Sequence, residues 1–213
     1  MQSKLFNFIL LTIILVSLSF NYCICQNFDI LLPITDINRT SIPSIQLTLI
    51  GAFGLPRKAR PGVPKHLHTG IDIKRPIENY TDEPIFAITT GVVISMRNDG
   101  PYAQIIIEHK FKNEDRFWTV YEHVSGIRVF VGDSVSPLEP IARFMNRQEL
   151  NRYGWQFDHF HFEILKVAPR PLKPKAKTPY RLFGTYNLEC YDQSDLYRYY
   201  FDPIKFFENH LHE

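Results

Sequence analysis

Polar and apolar side chains alternate over short segments of this chain, and glycine, proline, asparagine and aspartate separate the segments. Residues 102–111 and 117–124 are rich in β-branched and aromatic side chains, which is typical of strands, and the polar residues 112–116 between them indicate a hairpin loop. Residues 157–167 form the last clear strand pattern. Strands at this spacing, without an amphipathic helix between them, predict an all-β fold, an antiparallel β-sandwich or open barrel.

Shorter elements complete this prediction. Further strands are expected at residues 44–53, 85–90, 92–96, 127–131 and 134–135. Gly132-Asp133 is a favourable hairpin dipeptide between the last two of these strands. Residues 148–154 indicate a helical turn or a loop, and residues 202–213 predict a short C-terminal helix with Pro203 in its first turn.

The start of the chain has the pattern of a targeting segment. Lys4 precedes the uncharged residues 5–20, a run shorter than the roughly 20 residues of a membrane-spanning helix. The cationic start, the apolar run and the small side chains of Cys23 and Cys25 indicate a secretory signal peptide over residues 1–25. A retained membrane anchor is the alternative. We therefore expect an exported protein, in the periplasm, the cell envelope or the extracellular medium, with no membrane span after cleavage.

The composition excludes several classes of protein. The chain has 213 residues, with 24 Lys and Arg against 22 Asp and Glu, and a formal charge of +2 is too balanced to predict a nucleic-acid-binding protein. Hydrophobic residues make up 45% of the chain, which is enough to fill a core. Three Cys are too few for a disulfide scaffold, and signal-peptide cleavage leaves Cys190 without an intramolecular partner.

A basic segment, residues 166–181, stands apart from the rest of the chain. It carries six basic residues, four Pro and no acidic residue. This composition is typical of a solvated extended linker or loop. A second interpretation is a basic strip that faces an anionic polymer.

The first candidate site is the motif HTGIDI, which contains His68 and Asp72. Gly70 and the proline-rich residues before the motif make a helix improbable, so the two side chains are not a helical pair. A turn that enters a strand can direct an imidazole and a carboxylate to one point, and both groups are good Zn²⁺ ligands. Alone, this spacing is a weak signal.

The second candidate site is the motif HFHFEI. Residues two apart in a strand share a face, so His159 and His161 lie side by side, with Glu163 on the same face, while Phe160 and Phe162 face the core. The pattern indicates a sheet that presents two imidazoles together. A polar sheet face with two incidental histidines is the alternative interpretation.

The remaining histidines carry less information. His66 lies two residues before His68 and is the best competitor for a ligand role. His123 ends a strand in the motif YEHVS, and alone it indicates nothing. His210 and His212 repeat the two-residue spacing on a predicted helix, where such side chains diverge by about 200°. We therefore do not assign them a ligand role.

Taken together and in this order, HTGIDI, YEHVS and HFHFEI resemble the motifs of the lysostaphin-type zinc metalloendopeptidases, which cut peptide bonds in bacterial cell-wall peptidoglycan. The upstream IGAFGLPRKARPG, together with PIFAITTGVV and VFVGDSV, is also similar to that family. The resemblance covers roughly residues 47–165. Three ordered motifs with matching neighbours make it far more specific than any one motif.

The resemblance implies a role for each matched residue. His68, Asp72 and His161 match the three zinc ligands, which leaves a fourth coordination position open, as a catalytic rather than structural zinc site requires. His123 and His159 match the two family histidines that are not ligands. One of them acts as general base and the other helps to stabilise the tetrahedral oxyanion.

The chain departs from the family pattern at a few positions. Val124 and Phe160 replace Leu, and the usual Gly/Ser-rich stretch before the second His motif is the bulky NRYGWQFD. The resemblance implies that this loop borders the cleft and therefore bears on the substrate preference. The expected organisation is a signal peptide over 1–25, an N-terminal lead-in over 26–46, a metallopeptidase domain over 47–165, and the basic segment with a Tyr-rich extension over 166–213. The expected partners are peptidoglycan stem or cross-bridge peptides, and the expected state is a monomer.

Three hypotheses follow. The first is a zinc endopeptidase that acts on peptidoglycan, and the second is an inactive binding or activator module of the same fold that keeps the zinc. Such modules usually lack several site residues, whereas this chain keeps all five. The third is a cupin-like metal protein that uses His66 and His68, which leaves His123 and His159 unexplained. The discriminating observation is whether those two side chains face the metal.

Overall fold

A computed structural model describes residues 30–211, so the predicted signal peptide and His212 lie outside the described residues. The strands are β1 (Pro56–Arg57), β2 (His66–Leu67), β3 (Ile71–Lys74), β4 (Pro84–Phe86), β5 (Gly91–Arg97), β6 (Gln104–Lys110), β7 (Arg116–Glu122), β8 (Ser134–Val135), β9 (Pro140–Arg143), β10 (His159–Leu165), β11 (Arg170–Pro171), β12 (Phe183–Gly184) and β13 (Tyr200–Phe201). The α-helices are α1 (Arg147–Tyr153), α2 (Gln193–Tyr199) and α3 (Pro203–His210). The fold is all-β with short helices, which confirms the predicted fold class.

One antiparallel sheet organises the molecule, in the order β13-β10-β7-β6-β5-β8, with β3 also paired to β10. Strand β7 lies along one edge of β10, and β3 and β13 follow one another along the other edge. The long hairpin of β6 and β7 agrees with the predicted strands at 102–111 and 117–124. Strand β10 is therefore paired along both of its edges.

The two faces of β10 differ as the alternation predicts. Phe160, Phe162 and Ile164 are fully buried in the main core. This core also takes side chains from both ends of the described chain, including Leu32 near its start and Phe207 in α3. The residues before β1 and the C-terminal helix thus pack on the same side of the sheet.

The opposite face of the sheet is divided into two halves. At one end, Val120 and Leu165 pack against the C-terminal extension, with Cys190, Leu196 and Tyr200 as its buried residues. At the other end, β10 begins with His159 and His161. The extension therefore covers one half of this face and leaves the histidine half open.

Two predicted strands are wrong. Residues 44–53 have a single bridge, Leu47 to Ile73, because the chain leaves the sheet after it and Leu49 is fully exposed. Residues 127–131 are irregular, because β8 pairs with β5 and the backbone of Gly132 and Asp133 bonds to Val93 instead of closing a hairpin.

The helical predictions agree with the structure, with one omission. Helix α1 replaces the expected helical turn at 148–154, and α3 begins at Pro203 behind Asp202, whose side chain accepts a bond from the Ile204 amide. Helix α2 was not predicted. The basic segment is mostly exposed loop, apart from β11. Among the described residues, no helix combines the length and the apolar character that crossing a membrane requires.

Candidate metal centre

Three side-chain atoms from two distant motifs meet at one point. Nε2 of His68 lies 3.0 Å from Oδ1 of Asp72 and 2.9 Å from Nδ1 of His161, and the last two atoms are 3.0 Å apart. All three side chains are buried. The pairing of β3 with β10 sets Asp72 directly opposite His161, although 89 residues separate them in the chain. These are the three residues that match the family's zinc ligands.

The motif between His68 and Asp72 requires a glycine because two backbones approach closely there. A Cβ atom at Gly70 would lie 2.2 Å from the carbonyl oxygen of Phe162 on β10. The neighbouring Thr69 hydroxyl donates to Oε1 of Glu163 across the same gap, at 2.5 Å. The glycine lets β3 enter the sheet at the distance that the three ligand atoms need.

Hydrogen bonds on the far side of each ring determine which nitrogen faces the centre. Nδ1 of His68 donates to the carbonyl of Ala52 at 2.9 Å, which leaves the lone pair on Nε2. Nε2 of His161 donates to Oε1 of the buried Glu163 at 3.1 Å, which leaves Nδ1 toward the centre. Such outer hydrogen bonds orient metal-binding histidines. Glu163 therefore supports the site, as its place on the His face predicts.

This donor set fits a zinc ion. A tetrahedral site with bonds of 2.0–2.1 Å separates its ligand atoms by about 3.3 Å, close to the observed triangle. Burial raises the pKa of Asp72, but the hydrogen bond from His161 and the neighbouring His68 ring outweigh burial and hold this pKa well below its usual range. Burial lowers the pKa of His161, but hydrogen bonds to Asp72 and Glu163 outweigh burial and raise it to about 10. In this state a proton on Nδ1 of His161 points at Asp72, in the place that a metal ion would take, so the centre attracts a positive charge.

Two more histidines stand beside the triangle. Nε2 of His159 is 3.8 Å from Oδ1 of Asp72, and the rings of His123 and His159 are 5.3 Å apart and nearly perpendicular. Nδ1 of His123 donates to the carbonyl of Pro101, which leaves the lone pair on Nε2. Burial lowers the pKa of both side chains, that of His159 to about 4, so both rings are neutral near pH 7.

The backbone of His123 has an unusual conformation. Its φ is +64°, in the left-handed region that side chains other than glycine rarely adopt. His123 follows Glu122, which pairs with His161 across β7 and β10. The turn directly after β7 thus brings the ring toward the centre, in a conformation that is often found at functional sites.

All five matched residues line one cavity of about 690 Å³. Its lining also includes Arg57, Lys58 and the bulky Phe157, and the ring of Phe157 is 5.0 Å from that of His123. The altered segment NRYGWQFD therefore borders the cleft through Phe157. Leu188 brings the C-terminal extension to the cavity wall.

The other histidines do not join the triangle. His66 lines the cavity, but its Nδ1 donates to the carbonyl of Pro64. His109 is buried between Thr90 and Thr119 in the β6–β7 hairpin, and His210 packs against the ring of Phe206. Because His123 and His159 face the triangle, the arrangement disfavours the cupin-like hypothesis.

The sequence reasoning missed Arg57. Its Nη2 donates to Oδ2 of Asp72 at 2.9 Å. Arg57 lies in a proline-rich stretch that predicts a loop, and no periodicity links it to Asp72. The match of IGAFGLPRKARPG to the family was the one signal near it.

Comparison with known proteins identifies the family. The model of peptidase family M23 matches residues 66–174, which is 109 of 213 residues. The chain belongs to peptidase family M23, the lysostaphin-type family, and this confirms the resemblance drawn from the motifs. None of the curated proteins compared with the chain matches it.

Several solved structures are similar to this chain at low sequence identity. The solution structure of lysostaphin has 18% sequence identity and a TM-score of 0.45, covering 79% of this chain and 52% of that chain. A zinc-containing peptidase from Vibrio cholerae has 25% identity and a TM-score of 0.44, and the match covers 68% of this chain and 41% of that chain. The crystal structure of the SpoIIIAH and SpoIIQ complex has 21% identity and a TM-score of 0.44, and the match covers 65% of this chain and 92% of that chain. The chain thus spans about half of the lysostaphin chain and less of the Vibrio peptidase.

Proposed function

We propose that this protein is an exported zinc metalloendopeptidase that hydrolyses peptide bonds in bacterial cell-wall peptidoglycan. The observation that carries the proposal is the buried triangle of His68, Asp72 and His161, which opens into a cleft beside two neutral histidines. Membership in a peptidase family supports the reaction class. Export rests on the predicted signal peptide over residues 1–25.

Three side chains would hold the zinc, through Nε2 of His68, Oδ1 of Asp72 and Nδ1 of His161. Three protein ligands leave one position open, as in catalytic zinc sites. The chemistry that zinc supplies at such a site is polarisation of a carbonyl group and a lowering of the pKa of water to about 7. Glu163 and the Ala52 carbonyl keep the two imidazoles in the required orientation.

The two further histidines have complementary roles in this proposal. His123 accepts a proton at Nε2, because its Nδ1 hydrogen is held by the Pro101 carbonyl. His159 stands 3.8 Å from the ligand oxygen of Asp72 and donates to the oxyanion that develops on the scissile carbonyl. Phe157 and Tyr102 pack against His123 and shield its ring from bulk water.

The substrate is a stem or cross-bridge peptide of the wall, and the protein acts as a monomer. The exposed basic segment, residues 166–181, supports association with an anionic wall polymer. It lies outside the ligand triangle, so its contribution is to binding rather than to chemistry.

A single digestion tests the function. Purified peptidoglycans of several cross-link types are incubated with zinc-loaded protein, and the soluble fragments are identified by mass spectrometry. We expect released peptides with new amino and carboxyl termini, and none from His161→Ala. Wild-type protein that binds one zinc but releases no fragment from any peptidoglycan would instead identify a binding or activator module.

A further inference from the structure

The two oxygens of the Asp72 carboxylate have different partners. Oδ1 belongs to the ligand triangle, 3.0 Å from each of the two imidazole nitrogens. Oδ2 accepts a hydrogen bond from Nη2 of Arg57 at 2.9 Å. The side chains of Arg57 and Asp72 are 19% and 9% exposed, so solvent screens this ion pair only partly.

The hairpin of β1 and β2 positions Arg57 and His68 together. Arg57 lies on β1 directly opposite His66 on β2, and the amide of His68 donates to the carbonyl of Leu55 just before β1. One short hairpin therefore carries a ligand at its exit and the guanidinium that binds the neighbouring ligand. A shift of this hairpin would move both groups at once.

A carboxylate binds a metal through one oxygen or through both, and the second mode occupies one more coordination position. A guanidinium on Oδ2 competes for that oxygen, because a charge-assisted bond of 2.9 Å holds it away from the centre. The catalytic centre described above needs its fourth position free.

We propose that Arg57 is a positioning residue that restricts Asp72 to binding the metal through Oδ1 alone. This inference rests on the proposed zinc site and concerns how that site stays open. Without Arg57, Oδ2 turns toward the metal as an additional ligand, so the metal becomes five-coordinate and the position that the reaction requires is crowded.

Electrostatic repulsion of the metal by Arg57 and positioning of Asp72 by Arg57 predict opposite results, which makes the idea testable. The charge of Arg57 repels a bound cation, so a purely electrostatic role means that Arg57→Ala only strengthens metal binding. A positioning role means that Arg57→Ala changes the coordination of the metal and lowers turnover. Loss of an outer-shell partner of a metal ligand typically costs 10–100-fold in metal affinity or activity.

The experiment uses cobalt as the probe, because the visible absorption of Co²⁺ reports its coordination number. Wild type, Arg57→Ala, Arg57→Lys and the control Arg60→Ala are each loaded with one equivalent of Co²⁺. Arg60 is an exposed cation on the same hairpin, so the control removes the same charge and leaves Asp72 untouched. Circular dichroism checks that each variant is folded.

We expect weaker, five-coordinate absorption in Arg57→Ala, a spectrum close to wild type in Arg57→Lys, and an unchanged spectrum in Arg60→Ala. Zinc-loaded Arg57→Ala is expected to lose 10–100-fold of its activity. A folded Arg57→Ala that binds no cobalt overturns the inference, because a carboxylate free to bind through both oxygens should still hold the metal. Identical spectra for wild type and Arg57→Ala also overturn the inference, whereas a wild type that binds no cobalt refutes the proposed function itself.

Discussion

The contact at Gly70 makes the strongest prediction about how the fold holds the site. Replacing Gly70 with Ala would put a Cβ atom 2.2 Å from the carbonyl oxygen of Phe162, whereas real Cβ contacts are essentially never shorter than 3.0 Å. Backbone lies on both sides of this contact, so no side chain can move aside. Strands β3 and β10 must therefore separate by about 1 Å, and overpacking of this kind costs about 3 kcal/mol.

The same displacement affects metal binding. The ligand triangle has edges of 2.9–3.0 Å, and metal–ligand distances tolerate only about 0.2 Å of error. A shift of about 1 Å carries Asp72 away from His161, because these two residues face each other across the strands that separate. We therefore expect Gly70→Ala to weaken zinc binding at least about tenfold.

Thermal unfolding and zinc titration of one preparation measure both effects. At about 3 kcal/mol, the melting temperature should fall by about 6–12 °C for a domain of this size. The matched control is Gly184→Ala, where the new Cβ would meet only the flexible side chain of Leu172, at 3.2 Å. Equal melting temperatures and equal zinc affinities for the two variants would refute the reasoning.

Three further predictions concern the histidines. His161→Ala should abolish stoichiometric zinc in metal analysis, whereas His66→Ala should keep metal and activity; zinc lost from the second variant alone would show that the ligand set is misassigned. His123→Ala and His159→Ala should each keep the zinc and lose about 10²–10⁴-fold in cleavage of muropeptides, and normal cleavage by both would remove them from the chemistry. Burial lowers the pKa of His109 from 6.5 to about 4, so the folded protein keeps this ring neutral. The neutral ring contributes fully to the free energy of unfolding above pH 6.5, and this free energy falls by about 3 kcal/mol as the pH drops to 4. Urea unfolding of His109→Gln, measured over the same pH range, should lack this loss. The same pH dependence of the free energy of unfolding in wild type and His109→Gln would contradict the prediction.

Local patterns in the sequence were sufficient where neighbouring residues determine structure. The alternation in HFHFEI places His161 and Glu163 on one face of β10 and Phe160 and Phe162 on the other, because side chains on a strand alternate with a period of two. The same rule found the β6–β7 hairpin, where both strands have one polar end and a buried middle. It failed at 44–53 and 127–131, because apolar residues there cover the core or face solvent without pairing in regular strands.

The site itself depended on two kinds of information. The order of the three motifs identified His68, Asp72, His161, His123 and His159 by resemblance to a family. Neither spacing nor composition could show that Asp72 stands opposite His161, since that contact depends on the register of β3 against β10, 89 residues apart. Strand register is a property of the assembled sheet.

Only the tertiary structure decided how each functional group is oriented. The Ala52 and Pro101 carbonyls determine which nitrogens of His68 and His123 carry a proton, and Arg57 binds the second oxygen of Asp72. These partners come from loops and turns without a periodic pattern, so the sequence around them carries no signal of the contact. The chain by itself determined which residue types alternate along each strand, and folding determined which distant atoms meet, because hydrogen bonds act over about 3 Å in space whatever the separation along the chain.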